Sequence, residues 1–212
     1  MNLIKKITKE AKKYFKGENG CHDFYHTDRV RNLALHIGKI ENADLEVLEI
    51  ASILHDIGRK EQNKCKGKIC HAEVGAKKAE EILKEFNLET KKFENIIHCI
   101  ETHRFRKGKT PESLEAKILY DADKLDSIGA VGIGRAFLFA GEFGAKLHNK
   151  DVDIEKTKPY TKEDTAYREF LVKLKKIKDK MLTDEGKRLA QERHEFMVIF
   201  FDRLNKEVDG EI

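Results

Sequence analysis

The sequence predicts an all-α protein, and three observations carry that prediction. Apolar residues recur at helical spacing through nearly every segment. Alternation of the kind a half-buried strand needs is essentially absent. The apolar stretches begin and end at residues that suit helix termini, among them Gly17, Asp23, Asp44 and Gly58.

Taken in order, Leu3, Ile4, Ile7, Ala11, Tyr14 and Phe15 define a first helix that Gly17 stops. Asp23 is an N-cap for a second, which carries His26, Val30, Leu33, Ala34 and Ile37. Asp44 caps a third, where Leu45, Val47, Leu48, Ile50, Ala51, Ile53 and Leu54 make the helix apolar almost all round, as at the centre of a core. Gly58 ends it, so His55 and Asp56 fall in its last turn. Residues 59–70 read as a charged, Gly-containing loop. Amphipathic helices follow from about His71 to Phe86 and from about Thr90 to His103. After a loop around Gly108 and Pro111, Leu114, Ile118, Leu119 and Leu125 mark another helix. Two long helices near 161–182 and 184–208 close the chain, and 143–160, interrupted by Pro159, is expected to be the most flexible stretch.

A chain of 212 residues with 40% hydrophobic content can bury one substantial core, which points to one domain. No apolar run reaches the roughly 18 residues of a membrane span, and the N-terminus lacks the features of a signal peptide. A cytoplasmic protein without a membrane partner is expected. The net charge is only +4 with both signs interspersed, and there is no Trp and no Arg-rich stripe interleaved with aromatics. Nucleic acid is therefore not the expected partner. The four cysteines are expected to be free thiols in a reducing compartment, with a zinc or redox pair at Cys65 and Cys70 as the alternative.

Chemistry concentrates where the apolar run Ala51-Ser-Ile-Leu-His-Asp-Ile-Gly58 ends in an imidazole beside a carboxylate. Burying both is costly unless a cation compensates them. His26 upstream and Asp123 downstream complete a set of two nitrogens and two carboxylates from separated segments. Such a set suits Mn²⁺, Fe²⁺, Co²⁺ or Ni²⁺ with room for water.

The ordered set His26, then His55-Asp56, then Asp123 resembles the signature of the HD superfamily of metal-dependent phosphohydrolases, over roughly residues 22–145. Gly186-Lys-Arg-Leu-Ala-Gln-Glu-Arg-His-Glu-Phe-Met197 resembles the C-terminal helix of small stand-alone members. The resemblance implies an HD-domain helical bundle, residues 1–212 forming one domain with additional C-terminal helices (about 160–208) packed on the core. It implies a divalent ion (Mn, Co, Ni, Fe or Mg) on His26, His55, Asp56 and Asp123. Such an ion acidifies bound water and polarises a phosphoryl oxygen, and the second oxygen of Asp56 is a candidate to take the water's proton. Asp126 is expected to support Asp123 from behind. Arg29, Arg59 and Lys124 are expected to meet phosphate charge, with Lys124 also a catalytic candidate. In related cyclic-dinucleotide phosphodiesterases, histidines placed like His71 and His103 complete a binuclear site. Here that subgroup's tandem His-His and Gly-Tyr-Pro are missing. His71 and His103 are accordingly read as catalytic groups lining the site, with a second ion as the alternative.

The expected activity is hydrolysis of a phosphate ester or anhydride of a small molecule, above all a nucleotide. Leu125-Asp126-Ser127 replaces the Leu-His-Asn pattern of guanosine tetraphosphate hydrolases, which points away from that subtype. The alternatives are a di-iron oxygenase of HD type and a non-catalytic nucleotide-binding regulator; four retained ligands argue against the regulator. Phe196, Met197, Ile199, Phe200 and Phe201 are expected to roof the core in preference to forming a homodimer contact.

Overall fold

The computed structural model describes residues 2–17, 23–65, 68–105, 109–151 and 153–212; Cys21, His22 and Gly108 lie outside the described residues. Among the described residues the regular structure is entirely helical, as expected. None of these helices is long and apolar enough to cross a membrane. The chain forms two compact units, Met1–Asp123 and Lys124–Ile212.

In the first unit, α1 (Leu3–Lys12) runs into a 3₁₀ turn at Lys13–Phe15. It is followed by α2 (Phe24–Ile40), α3 (Leu45–Leu54), α4 (Arg59–Lys64), α5 (His71–Leu83), α6 (Thr90–Thr102) and α7 (Leu114–Leu125), whose last turn crosses the boundary. The core is built on α3. Val47, Leu48, Ile50, Ala51, Ile53 and Leu54 are all buried, and α1, α2 and α6 pack around them. Asp44 starts this helix, its carboxylate accepting from the backbone N–H groups of Glu46 and Val47 at 3.0 and 3.2 Å. Glu115 fixes the same corner by accepting from Asp44 N–H at 2.9 Å and from Asn95 Nδ2 at 2.8 Å.

The 59–70 segment departs from the expected loop, since Arg59–Lys64 is helical. Its six residues, Arg-Lys-Glu-Gln-Asn-Lys, hold no apolar stripe, so periodicity could not mark it.

In the second unit, α8 (Gly129–Glu142) precedes α9 (Ala166–Val172) and α10 (Asp184–Asp209). Four glycines weaken the helical signal of α8, which periodicity therefore does not mark. One of them is required: a Cβ on Gly132 would sit 2.3 Å from the carbonyl oxygen of Ser127. The expected long helix over 161–182 is shorter in the structure. It is α9 followed by 3₁₀ turns at Leu174–Lys176 and Lys178–Lys180. Leu174, Ile177 and Met181 remain buried although the path between them is not one α-helix. Thr183 caps α10 through Gly186 N–H at 3.1 Å, and Gly210 closes it in the left-handed conformation. Of the apolar cluster on α10, Met197 and Phe201 are buried, with Phe201 stacked on Phe170 at 4.6 Å, while Phe196 and Ile199 are exposed.

Because Ile50 is fully buried at the centre of α3, truncating it leaves a void its neighbours cannot close. Ile50→Ala is expected to cost about 2–5 kcal/mol in denaturant unfolding. A loss under about 1 kcal/mol would contradict the placement of α3 at the centre.

Candidate metal centre

Local capping sets the donor positions. Asp23 accepts from His26 N–H at 3.1 Å, so α2 starts at Phe24 and His26 lies in its first turn. His55 and His103 follow the last residues of α3 and α6, and both use one device there. His55 Nδ1 faces the carbonyl of Ser52 and His103 Nδ1 that of Ile100, each at 2.7 Å. A carbonyl only accepts, so each Nδ1 carries the proton and each Nε2 presents a lone pair.

Gly58 brings α5 to the site by close backbone approach. A Cβ there would meet the carbonyl oxygen of His71 at 2.3 Å and the backbone nitrogen of Gly75 at 2.6 Å. Only a hydrogen fits between the His-Asp turn and the first turn of α5. This contact seats His71 Nε2 3.0 Å from Asp56 Oδ1.

The Asp56 carboxylate sits at the middle of the cluster. Oδ2 faces His26 Nε2 at 3.7 Å and His55 Nε2 at 3.8 Å. Oδ1 faces His71 Nε2 at 3.0 Å and His103 Nε2 at 3.8 Å. His26 Nε2 is 3.4 Å from Asp123 Oδ1, and His71 Nε2 is 3.0 Å from His103 Nε2. Two groups therefore have donor spacing for a metal: His26, His55 and Asp123, and Asp56, His71 and His103. All four imidazoles and Asp56 are buried, while Asp123 is half-buried. His55 Nε2 has no hydrogen-bond partner, an arrangement that a buried acceptor tolerates when a cation takes its lone pair. The donor set fits a divalent transition metal.

Electrostatics prepare the same state. Burial holds His55, His71 and His103 below the ordinary imidazole value, and for His103 the neighbouring His71 and His55 push further the same way. Burial alone would raise Asp56, but the Arg59 guanidinium, first among the groups that oppose it, holds the carboxyl well below its ordinary range. Neutral imidazoles around an ionised carboxylate are the protonation states that metal binding requires.

Arg59, expected to meet phosphate, here clamps Asp56: Nε donates to Oδ2 at 3.0 Å, and Nη2 to Oδ1 at 3.0 Å and Oδ2 at 2.9 Å. Arg29 is half-buried one turn beyond His26 on α2. Lys124 is half-buried, and Asp126 is buried in an ion pair with Arg135 at 2.5 Å; both belong to the second unit. His98 accepts from Glu112 N–H at 3.0 Å, a structural role. Cys65, Cys70 and Cys99 are free thiols. Sequence reasoning missed Gln62, which faces the ring of His71, and Arg104, which donates to Gln62, because neither lies in a recognisable pattern.

Two outcomes follow from this geometry. Gly58→Ala is expected to cost about 1–3 kcal/mol or more in denaturant unfolding, because rigid backbone faces the new methyl; unchanged stability would mean the two segments are not in contact. The second concerns chelator-treated protein. Its folded state resists protonating His55, His71 and His103, whereas the unfolded chain protonates them below about pH 6.5. Their contribution is full above that value and fades as pH falls, so the melting temperature should drop between pH 7.5 and 5.5. A rise would contradict the buried neutral cluster.

The sequence model of the HD domain family matches residues 23–128. The Bacillus subtilis (strain 168) protein YpgQ is 37% identical over 198 residues, covering 91% of this chain and 87% of its own length. The crystal structure of YpgQ in complex with ADP superposes with a TM-score of 0.73 at 34% identity, covering 96% of this chain and 94% of that one. An HD-superfamily hydrolase from Bacillus thuringiensis gives 0.76 at 27% identity, with 97% and 96% covered. His26, His55, Asp56 and Asp123 all lie within the matched span, and the chain belongs to the HD domain family, with the helical fold of its hydrolases.

Proposed function

We propose that the protein is a divalent-metal-dependent phosphohydrolase that hydrolyses a phosphate ester or anhydride of a nucleotide. One observation carries the proposal: the two buried oxygens of Asp56 each face a different pair of imidazoles. In this reading His26, His55, Asp56 and Asp123 hold one ion, and Asp56, His71 and His103 hold a second. Bound metal supplies an acidified water and an electrophile for phosphoryl oxygen.

The side chains then divide the work. Asp56, kept ionised by Arg59, spans the two donor groups, and its low basicity suits a ligand better than a proton acceptor. His71 and His103 present nitrogens to the same oxygen of Asp56, which favours ligation over proton donation to a leaving group. Arg29 and Lys124 are the candidate partners for phosphate charge, Lys124 following Asp123 directly in the chain, while Arg59 is held on Asp56. The nucleotide substrate draws support from YpgQ, whose structure was solved in complex with ADP. We place the protein in the cytoplasm on sequence grounds alone.

A panel of nucleoside mono-, di- and triphosphates incubated with protein and Mn²⁺, Co²⁺, Ni²⁺ or Mg²⁺ tests this reading. At least one substrate should be turned over, activity should vanish with chelator, and Asp56→Asn should lower it by at least about 100-fold while preserving helical circular dichroism. Product analysis separates pyrophosphate release from stepwise phosphate loss. An Asp56→Asn protein with full turnover contradicts the mechanism; iron-dependent oxygen uptake without phosphate release would assign the site to the di-iron oxygenase reading.

A further inference from the structure

His71 is the one imidazole among those facing Asp56 through Oδ1 whose protonation is not fixed by its own helix. His103 has settled on Nδ1–H through the Ile100 carbonyl. For His71 two neutral forms compete. With the proton on Nε2 the ring would donate to Asp56 Oδ1, 3.0 Å away, and would present no lone pair there. With the proton on Nδ1, the ring would donate to Gln62 Oε1, also at 3.0 Å, and Nε2 would be bare. The outcome depends on which end of the Gln62 amide faces the ring.

Arg104 decides that end. Its Nη1 donates to the same Gln62 atom at 2.8 Å, and the backbone N–H of His71 donates there at 3.3 Å. Guanidinium and backbone N–H groups can only donate, so the atom between them must be the amide oxygen. An amide oxygen facing His71 Nδ1 requires a proton on that nitrogen.

We propose that Gln62, locked by Arg104, is a positioning residue that holds His71 as its Nδ1–H tautomer and so keeps Nε2 open for the second cation. Three acceptors then converge: His71 Nε2, His103 Nε2 at 3.0 Å from it, and Asp56 Oδ1. Facing lone pairs at that separation repel, and a divalent ion between them turns the repulsion into ligation. Gln62 lies in α4, six residues after Asp56, so the helix that grows from the His-Asp turn also sets the tautomer of a ligand on α5. This inference rests on the two-cation reading of the site.

Nitrogen NMR of histidine-labelled, metal-free protein above pH 8 reads the tautomer directly. Wild type should show His71 protonated at Nδ1; a proton on Nε2 would overturn the proposal without any variant. Gln62→Leu should move the proton to Nε2 and weaken the second equivalent of Co²⁺ in an optical titration by about 10–100-fold, leaving the first unchanged. Gln62→Glu keeps an acceptor and should restore both readouts. Arg104→Met frees the amide to turn and should give a mixture of tautomers. A Gln62→Leu protein with an unchanged tautomer and an unchanged second equivalent overturns the proposal. Loss of nucleotide hydrolysis in wild type, with these readouts as stated, would remove the substrate reading and leave this one standing.

Discussion

The buried Asp56 carboxylate is the constraint on which the rest of the site depends. It is fully enclosed, ionised, and turns each oxygen to a separate pair of imidazoles. An enclosed anion ringed by neutral acceptors is unstable without positive charge. Arg59 supplies one such charge through a bidentate clamp, and the unpartnered Nε2 of His55 marks where more is needed. The first unit is organised to hold this cluster. Capping at Asp23 and Asp44 sets the phases of α2 and α3, and the bare backbone at Gly58 admits α5.

That His26, His55, Asp56 and Asp123 belong together was legible in the sequence because each interrupts a pattern, and the structure brings the four side chains into one cluster. His55 and Asp56 end an apolar run, His26 follows a capping Asp by three residues, and Asp123 lies in a short acidic stretch. The family assignment followed from their order. The all-α class and most of the first unit were equally readable, because helical spacing and Asp or Gly ends agree there. In the second unit local signals conflict with packing. Glycines hide α8, and over 161–182 apolar residues at helical spacing stay buried on a path that breaks into α9 and 3₁₀ turns.

The grouping of His71 and His103 with Asp56 could not be read from periodicity, since their helices give no phase relation to the His-Asp turn. For His71 it comes from the contact of Gly58 with the start of α5, a close backbone approach visible only in three dimensions. Gln62 and Arg104 were hidden for a similar reason. A polar residue in a charged six-residue helix and an Arg beyond a helix end look like solvated surface until the first is found on the His71 ring and the second on the first. Arg59 shows the converse, a residue singled out for phosphate that here lies on the carboxylate of Asp56.

Anomalous diffraction from crystals grown with saturating Mn²⁺ tests the central claim most directly. The account predicts two strong peaks, one on each side of the Asp56 carboxylate, within bonding distance of the His26/His55/Asp123 and His71/His103 groups respectively. A single peak, or density that places manganese away from Asp56, would contradict it.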